Sequence, residues 1–446
     1  MNVIICGYAD DSSVIINREQ GITESFNIIK KYELATGARL NYKKTSIIGL
    51  GQWDGRLNWP VNGLKAVTSS CKILGIFHHN NYDEATKMNW EQVENGIVRC
   101  IGQLSTRKLT LFQKALILNS KVLAKAWYIS HIYPMPRDVG KRIERSSFKY
   151  LWNGNYHPIN RKTMYLPKLK GGCGIIDINC KSKAIFFNTF FKSVSHKVFG
   201  YELTMFYCQL RMSYLFVHDH LSDMSVISTP YYNELVNMLR IAIKMKNYPN
   251  VKSSEFYWYL LSDEAFKPNV EMNYPLFDWN NILKNVNKFI DPHDRQILYK
   301  YTHEVLATKD RLYIMNITDD KLCANCGEIE NMMHLFYFCP LGKKLIDWFK
   351  SVIFKVCKLS TKSFLKILKL DFNALSIKDK NTAVILISDF ITGVWHGHKI
   401  GFLTDDPNLI AHIKCRIFKS KWILSKTLKC SFNCLFTYVY INDLVI

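Results

Sequence analysis

Two short apolar runs, Val3-Ile4-Ile5-Cys6 and Val14-Ile15-Ile16, flank a polar stretch near the head of the chain. β-Branched residues on both sides of a short polar turn predict a hairpin, with Asp10 and Asp11 side by side at its tip. From residue 21 to 35 the period changes. Ile22, Phe26, Ile29 and Tyr32 recur at helical spacing with mostly polar residues between them, and Gly37 stops the run. Leu40 to Leu50 reads as a turn plus a strand, and residues 51–60 as a surface loop. From about residue 83 the helical pattern returns, with Trp90, Val93, Ile97, Ile101 and Leu104 on one face. A second helix starts behind Thr110 as N-cap and runs through Phe112, Leu116, Val122, Leu123 and Trp127 to the break at Pro134-Met135-Pro136. Lys114, Lys121 and Lys125 punctuate it. A third helix covers Val139 to about Leu151. Gly171-Gly172-Cys173-Gly174 lacks the Lys-Ser/Thr of a phosphate-cradling loop and reads as a tight turn. Ala184, Ile185, Phe186, Phe187 and Phe190 mark a helix between Asp177 and about Gly200. Residues 200–270, rich in Tyr and Phe, read as globular and mainly helical.

Composition sets the class. The 446 residues exceed what one core normally organises, and 48% apolar against 22% charged residues is the balance of a folded chain. Lys and Arg number 59 against 37 acids, a net charge of +22, which favours a polyanionic partner; the bland reading of the same excess is a solvated surface. No window offers about 18 uninterrupted apolar residues, which excludes a spanning helix and favours nucleic acid over membrane. The N-terminus lacks the pattern of a secretory signal. With no export signal, 13 cysteines argue for reduced thiols and a metal site rather than a disulfide framework.

Two places carry chemistry. Adjacent carboxylates at a turn suit magnesium, which takes a few carboxylate oxygens and completes its shell with water and phosphate; Asp-rich turns also occur for backbone reasons alone. The second place is Cys323-x2-Cys326-x7-His334-x4-Cys339. Four soft or borderline ligands fall within 17 residues, Gly327 follows the Cys-x2-Cys knuckle, and Leu335-Phe336-Tyr337-Phe338 supplies an apolar run. This is the pattern of a tetrahedral structural zinc site, with His neutral and the cysteines as thiolates. Cys430-x3-Cys434 has no second ligand pair nearby and reads as structural. His396 and His398, in Trp395-His396-Gly397-His398, read as surface residues near a turn.

Tyr8-Ala9-Asp10-Asp11 resembles the YADD box of reverse transcriptases. Thr36-Gly37-Ala38-Arg39-Leu40-Asn41-Tyr42-Lys43-Lys44-Thr45 resembles the block that follows it, and Cys71-Lys72-Ile73-Leu74-Gly75-Ile76 the next, with Ile73 where Tyr is usual. The order is the family's. Further likeness lies in Leu104-Ser105, Leu109 to Leu111, Trp127-Tyr128, Phe148 to Trp152, Arg161, Leu166-Pro167, residues 171–175 and Leu306 to Leu312. The chain is thereby similar to the C-terminal part of a non-LTR (LINE-type) retrotransposon reverse transcriptase. That resemblance implies an α+β fold, mainly α. A partial palm of β-hairpin plus helix would occupy 1–82 and helical thumb 83–155. A helical connector would follow at 156–290, then a small zinc-binding domain at 291–400 and a tail at 401–446.

The same resemblance implies RNA-directed DNA synthesis on an RNA template and DNA primer, in an intracellular, nuclear setting. Asp10 and Asp11 would hold magnesium, with Tyr8 and Lys44 at the substrate. Lys141, Arg142, Arg145 and Lys149, on the outer face of the thumb, would meet phosphates, although charged helix faces are usually just solvated. The family's third carboxylate comes from a strand well before the YADD hairpin, and this sequence starts only a few residues before Tyr8. The expectation is an incomplete magnesium site and a chain inactive alone. The rival reading is a non-catalytic, zinc-dependent nucleic-acid-binding protein derived from the retroelement.

Overall fold

The computed structural model describes residues 4–8, 11–50, 69–198, 200–218, 230–246, 251–262, 266–287, 291–340, 342–357, 364–371, 377–401 and 407–427. Asp10, Cys430 and Cys434 lie outside them. The described chain is mainly helical with two small antiparallel sheets. It divides into two compact units, Met1–Gln92 and Val93–Ile446.

In the first unit the leading apolar runs form β1 (Ile4–Tyr8) and β2 (Asp11–Ile15), registered Ile4↔Ile15 through Tyr8↔Asp11. Helix α1 (Gln20–Thr36) ends where Gly37 turns left-handed. Only Ile22 of its apolar stripe is buried, and Tyr32 is exposed. The strand expected within residues 40–50 does not form. Asn41 O accepts from both Lys44 N and Thr45 N, so a local turn uses backbone groups that a strand would need to pair. A hairpin appears instead at β3 (Ser70–Ile73) and β4 (Ile76–His79), turned by Leu74 (φ 48°) and Gly75 (φ 84°). Positive φ at both turn positions matches the right-handed strand twist. Helix α2 (Tyr82–Ser105) follows. Its buried Asn89 accepts from Phe77 N (2.9 Å) and donates to Phe77 O (2.7 Å), locking β4 to the helix.

The second unit begins within α2, whose Val93, Ile97 and Leu104 are buried as the spacing predicts. Thr110 caps α3 (Leu111–Ile117) in a reciprocal capping box with Gln113. The long helix expected here is interrupted by a π-turn, Leu118–Val122, before α4 (Ala124–Ser130). The widened turn presents Asn119, which donates to Gly174 O (2.8 Å) and accepts from Ile176 N (3.0 Å), a pairing across 55 residues. Helix α5 (Arg137–Trp152) follows the Pro134–Pro136 break. Its C-terminal carbonyl is met by Lys114, a buried lysine that donates to Tyr150 O (2.9 Å) and to Asn153 Oδ1. Burial lowers the pKa of that ammonium.

Beyond α6 (Arg161–Tyr165) and a 3₁₀ turn (Lys168–Lys170), the glycine run makes the expected tight turn, and Asp177 caps α7 (Ile178–Ser195). Helices α8 (Tyr201–His218), α9 (Pro230–Ala242) and α10 (Ser253–Leu261) surround α7 with an aromatic core, in which Phe187 stacks on Phe256 at 4.4 Å. Then come α11 (Asn269–Asn273), α12 (Trp279–Asn287), α13 (Pro292–Thr302) and α14 (Lys309–Ile314). Gln296 and Tyr299 of α13 return to α3: Leu111 N donates to Gln296 Oε1, 185 residues away, and Phe112 meets Tyr299 edge-on at 5.2 Å.

The last helices are α15 (Lys343–Cys357), α16 (Phe364–Leu368), α17 (Ile377–Lys399) and α18 (Pro407–Thr427). Phe349 stacks on Phe390 at 4.0 Å, and Gly393 lets α18 approach so closely that a Cβ there would lie 2.7 Å from Ile413 Cγ1. Among the described residues, no helix is long and apolar enough to cross a membrane.

Candidate metal centre

The segment 321–339 folds around its cysteines. Leu322 and Ile329 form a lone antiparallel bridge, Cys323 N donates to Glu328 O (2.7 Å), and Gly327 N returns to Cys323 O (3.0 Å). Gly327 sits at φ 76°, a conformation that a side chain resists, which explains glycine directly after the knuckle. Asn331 Oδ1 accepts from His334 N (2.8 Å) and starts a π-turn, His334–Phe338. The turn's wide ring closes as Cys339 N donates to His334 O (2.9 Å), bringing the last two ligands together. Buried Leu335 and Phe336 anchor the turn, the latter edge-on to Tyr301 at 5.0 Å.

The ligand atoms of Cys323, Cys326, His334 and Cys339 all lie within 4.8 Å of one another, and Cys326 Sγ is 3.3 Å from His334 Nε2. A tetrahedron with metal–sulfur bonds of about 2.3 Å has edges of about 3.8 Å, so the donor set fits a metal such as zinc. Cys323, His334 and Cys339 are buried and Cys326 is half-buried, a closed arrangement suited to a structural ion. Burial, reinforced by the neighbouring Cys339, pushes the Cys323 thiol up to about 11, against the backbone N–H groups of Asn325 and Cys326 that point at its sulfur. Metal uptake must therefore displace a proton from this sulfur, and affinity rises with pH.

The buried Glu330 stands beside the cluster. It accepts from Lys309 N (3.2 Å) and meets His398 Nε2 at 3.0 Å, with Glu330, His398, His334 and Cys339 lining a shared cavity of about 210 Å³. This corrects the reading of His398 as a surface residue near a turn, whereas the His396 side chain remains largely open to solvent. Both belong to the last turn of α17; His398 is half-buried against Glu330 and stacks on Trp395, and His396 Nε2 is 3.9 Å from Asp294. Their carboxylate partners, Glu330 and Asp294, are far off in sequence, and no local pattern announces them.

The other candidate residues are spread over the chain. Tyr8 and Asp11 face each other across the hairpin turn, both exposed, and Lys44 is exposed on the turn after Asn41. On α5, Lys141, Arg145 and Lys149 are exposed and recur every four residues. Arg137 extends this stripe by one step, a member that the i, i+4 repeat could have revealed. Arg142 differs: its guanidinium makes two bonds of 2.7 Å to Glu94 and one of 2.6 Å to Asp138.

No protein-family model matches the chain. Over 183 residues, 40% of its length, the chain is 22% identical to the Transposon TX1 uncharacterized 149 kDa protein of Xenopus laevis; the match spans 14% of that protein, so this chain is similar to one part of a much longer transposon-encoded polypeptide.

Proposed function

We propose that this chain derives from a non-LTR retroelement and forms the palm-hairpin, thumb and zinc-binding part of a reverse transcriptase. The observation that carries the reading is the β1–β2 hairpin, in which Tyr8 and Asp11 of the YADD box pair in register. The similarity to a transposon-encoded protein supports it. In this reading Asp10 and Asp11 carry magnesium for nucleotidyl transfer, with a third carboxylate from elsewhere in the polymerase. Lys44 faces the incoming phosphates. Arg137, Lys141, Arg145 and Lys149, about 6 Å apart along α5, track the backbone of a primer–template duplex. Zinc at Cys323, Cys326, His334 and Cys339 holds the C-terminal domain in shape.

RNA-templated primer extension tests the enzymatic half, in the chain alone and joined in cis to a segment that supplies the third acid. Synthesis that survives both Asp10→Asn and Asp11→Asn overturns it. A second reading, binding without catalysis, is favoured by one feature: the metal cluster and the basic helix both belong to the unit 93–446, and the hairpin does not. Salt-dependent duplex binding with no extension in either form decides for that reading.

A further inference from the structure

A cleft of about 1390 Å³ opens in the second unit beside the glycine turn, away from the metal centre. Its walls are the 166–171 turn, the end of α10, the segment 266–271 and the start of α12. Two aromatic faces are available at its edge: Trp258, 46% exposed, and the half-buried Phe266. Lys162, Lys170 and Lys267 are exposed on the same rim, with Lys162 Nζ 5.6 Å from the centre of the Phe266 ring.

Three acids share the lining with these lysines: Asp177 accepts from Cys180 N (3.0 Å) and Asp278 from Asn281 N (3.1 Å), so both are held in place as helix caps, and Glu271 is half-buried. His303 lines the interior. Its Nε2 is buried and has no hydrogen-bond partner among the described residues. A Cβ on Gly171 would stand 3.6 Å from His303 Cε1 and 3.8 Å from Nε2, and the left-handed backbone there (φ +87°) keeps a side chain off the ring. Burial pushes the imidazole down to about 4, so the ring is neutral at pH 7 and can donate or accept.

We propose that this cleft takes a short run of single-stranded nucleic acid, an unstacked base entering against Trp258 and Phe266 while Lys170 and Lys267 hold the flanking phosphates. Aromatic faces serve unstacked bases of any identity, whereas a duplex hides its bases from such a cleft. This inference rests on the nucleic-acid role proposed above and adds a second site, selective for single strands, to the duplex-tracking face of α5.

The test uses the full chain loaded with zinc, and three probes of equal length: oligo(U), oligo(dT) and a blunt DNA duplex. Anisotropy should show Trp258→Ala weakening both single strands about tenfold while duplex affinity stays within about twofold. Lys170→Glu with Lys267→Glu should lower the salt slope for single strands by about 1.4. Photo-cross-linking with 5-iodouracil in either single strand should map to Trp258 or Phe266. Tighter binding of oligo(U) than oligo(dT) identifies RNA as the source of the strand, and the reverse identifies DNA. Unchanged single-strand affinity in Trp258→Ala, with cross-links only elsewhere and duplex binding intact, overturns the cleft and leaves the parent reading standing. Failure of all three probes to bind overturns both.

Discussion

Acid should weaken this protein through His303 in a way that one substitution removes. The residue follows α13, its ring 4.5 Å from that of Tyr299, and it is half-buried with its Nε2 out of reach of solvent. A histidine in the unfolded chain takes up its proton near pH 6.5; burial in the folded chain delays uptake to about 4, with partial relief from the Gly171 carbonyl. Between those values the unfolded state holds more protons than the folded one. Stability from this residue is therefore complete above about pH 6.5 and is lost as pH falls toward about 4. At about 1.36 kcal/mol per pH unit the full loss comes to about 3 kcal/mol, a large share of an ordinary folding free energy. His303→Gln leaves a neutral polar group that does not titrate. Urea unfolding of both proteins at pH 7, 6, 5 and 4, followed by tryptophan fluorescence, should give curves whose difference closes by about 3 kcal/mol at the acid end. Effects of zinc release and of other titrating groups are common to both proteins and cancel. Parallel stability curves across that range would refute the assignment.

Freshly purified protein should carry about one zinc per chain by elemental analysis, and Cys326→Ser should release it with loss of amide-exchange protection across 321–339. Asn89→Ala leaves the half-buried Phe77 amide without its acceptor and should cost about 1 kcal/mol, read as faster exchange of the Phe77 amide in the first unit. Phe349→Ala removes a fully buried ring from the stack with Phe390 and should destabilise the second unit by about 3 to 5 kcal/mol in urea unfolding. Lys149→Ala should reduce the salt slope of duplex binding by about 0.9, whereas Arg142→Ala, whose guanidinium is already held by Glu94 and Asp138, should leave the slope unchanged.

Legibility of the sequence followed the range of the interactions. The metal ligands fall within one short segment and could be read from spacing alone; Thr110 as N-cap and Asp177 at the start of α7 are equally local. The apolar faces of α2 and α5 were legible because a helical period needs no partner to be seen. Failures came where a distant group decides. Residues 40–50 have strand-like composition, but a strand needs a neighbour to pair with, and the Asn41 turn takes those backbone groups. Lys114 looks like a surface lysine until Tyr150 O, 36 residues on, accepts from it. His398 and Glu330 are 68 residues apart, and only the fold puts them beside the cysteines.

The return of α13 onto α3 bears on how the chain matures during synthesis. The first amide of α3 finds its acceptor at Gln296, and Phe112 finds its edge contact at Tyr299. At about 5 to 20 residues per second, a ribosome that has released Leu111 needs about 10 to 40 s more to deliver those partners. For that interval the helices of residues 93–152 stand with one end open, available to chaperones or to any polyanion that their basic face attracts. The bundle is thus completed by sequence that lies beyond it, so a stop codon between residues 153 and 295 would leave α3 without the Gln296 acceptor and the Tyr299 ring that finish it.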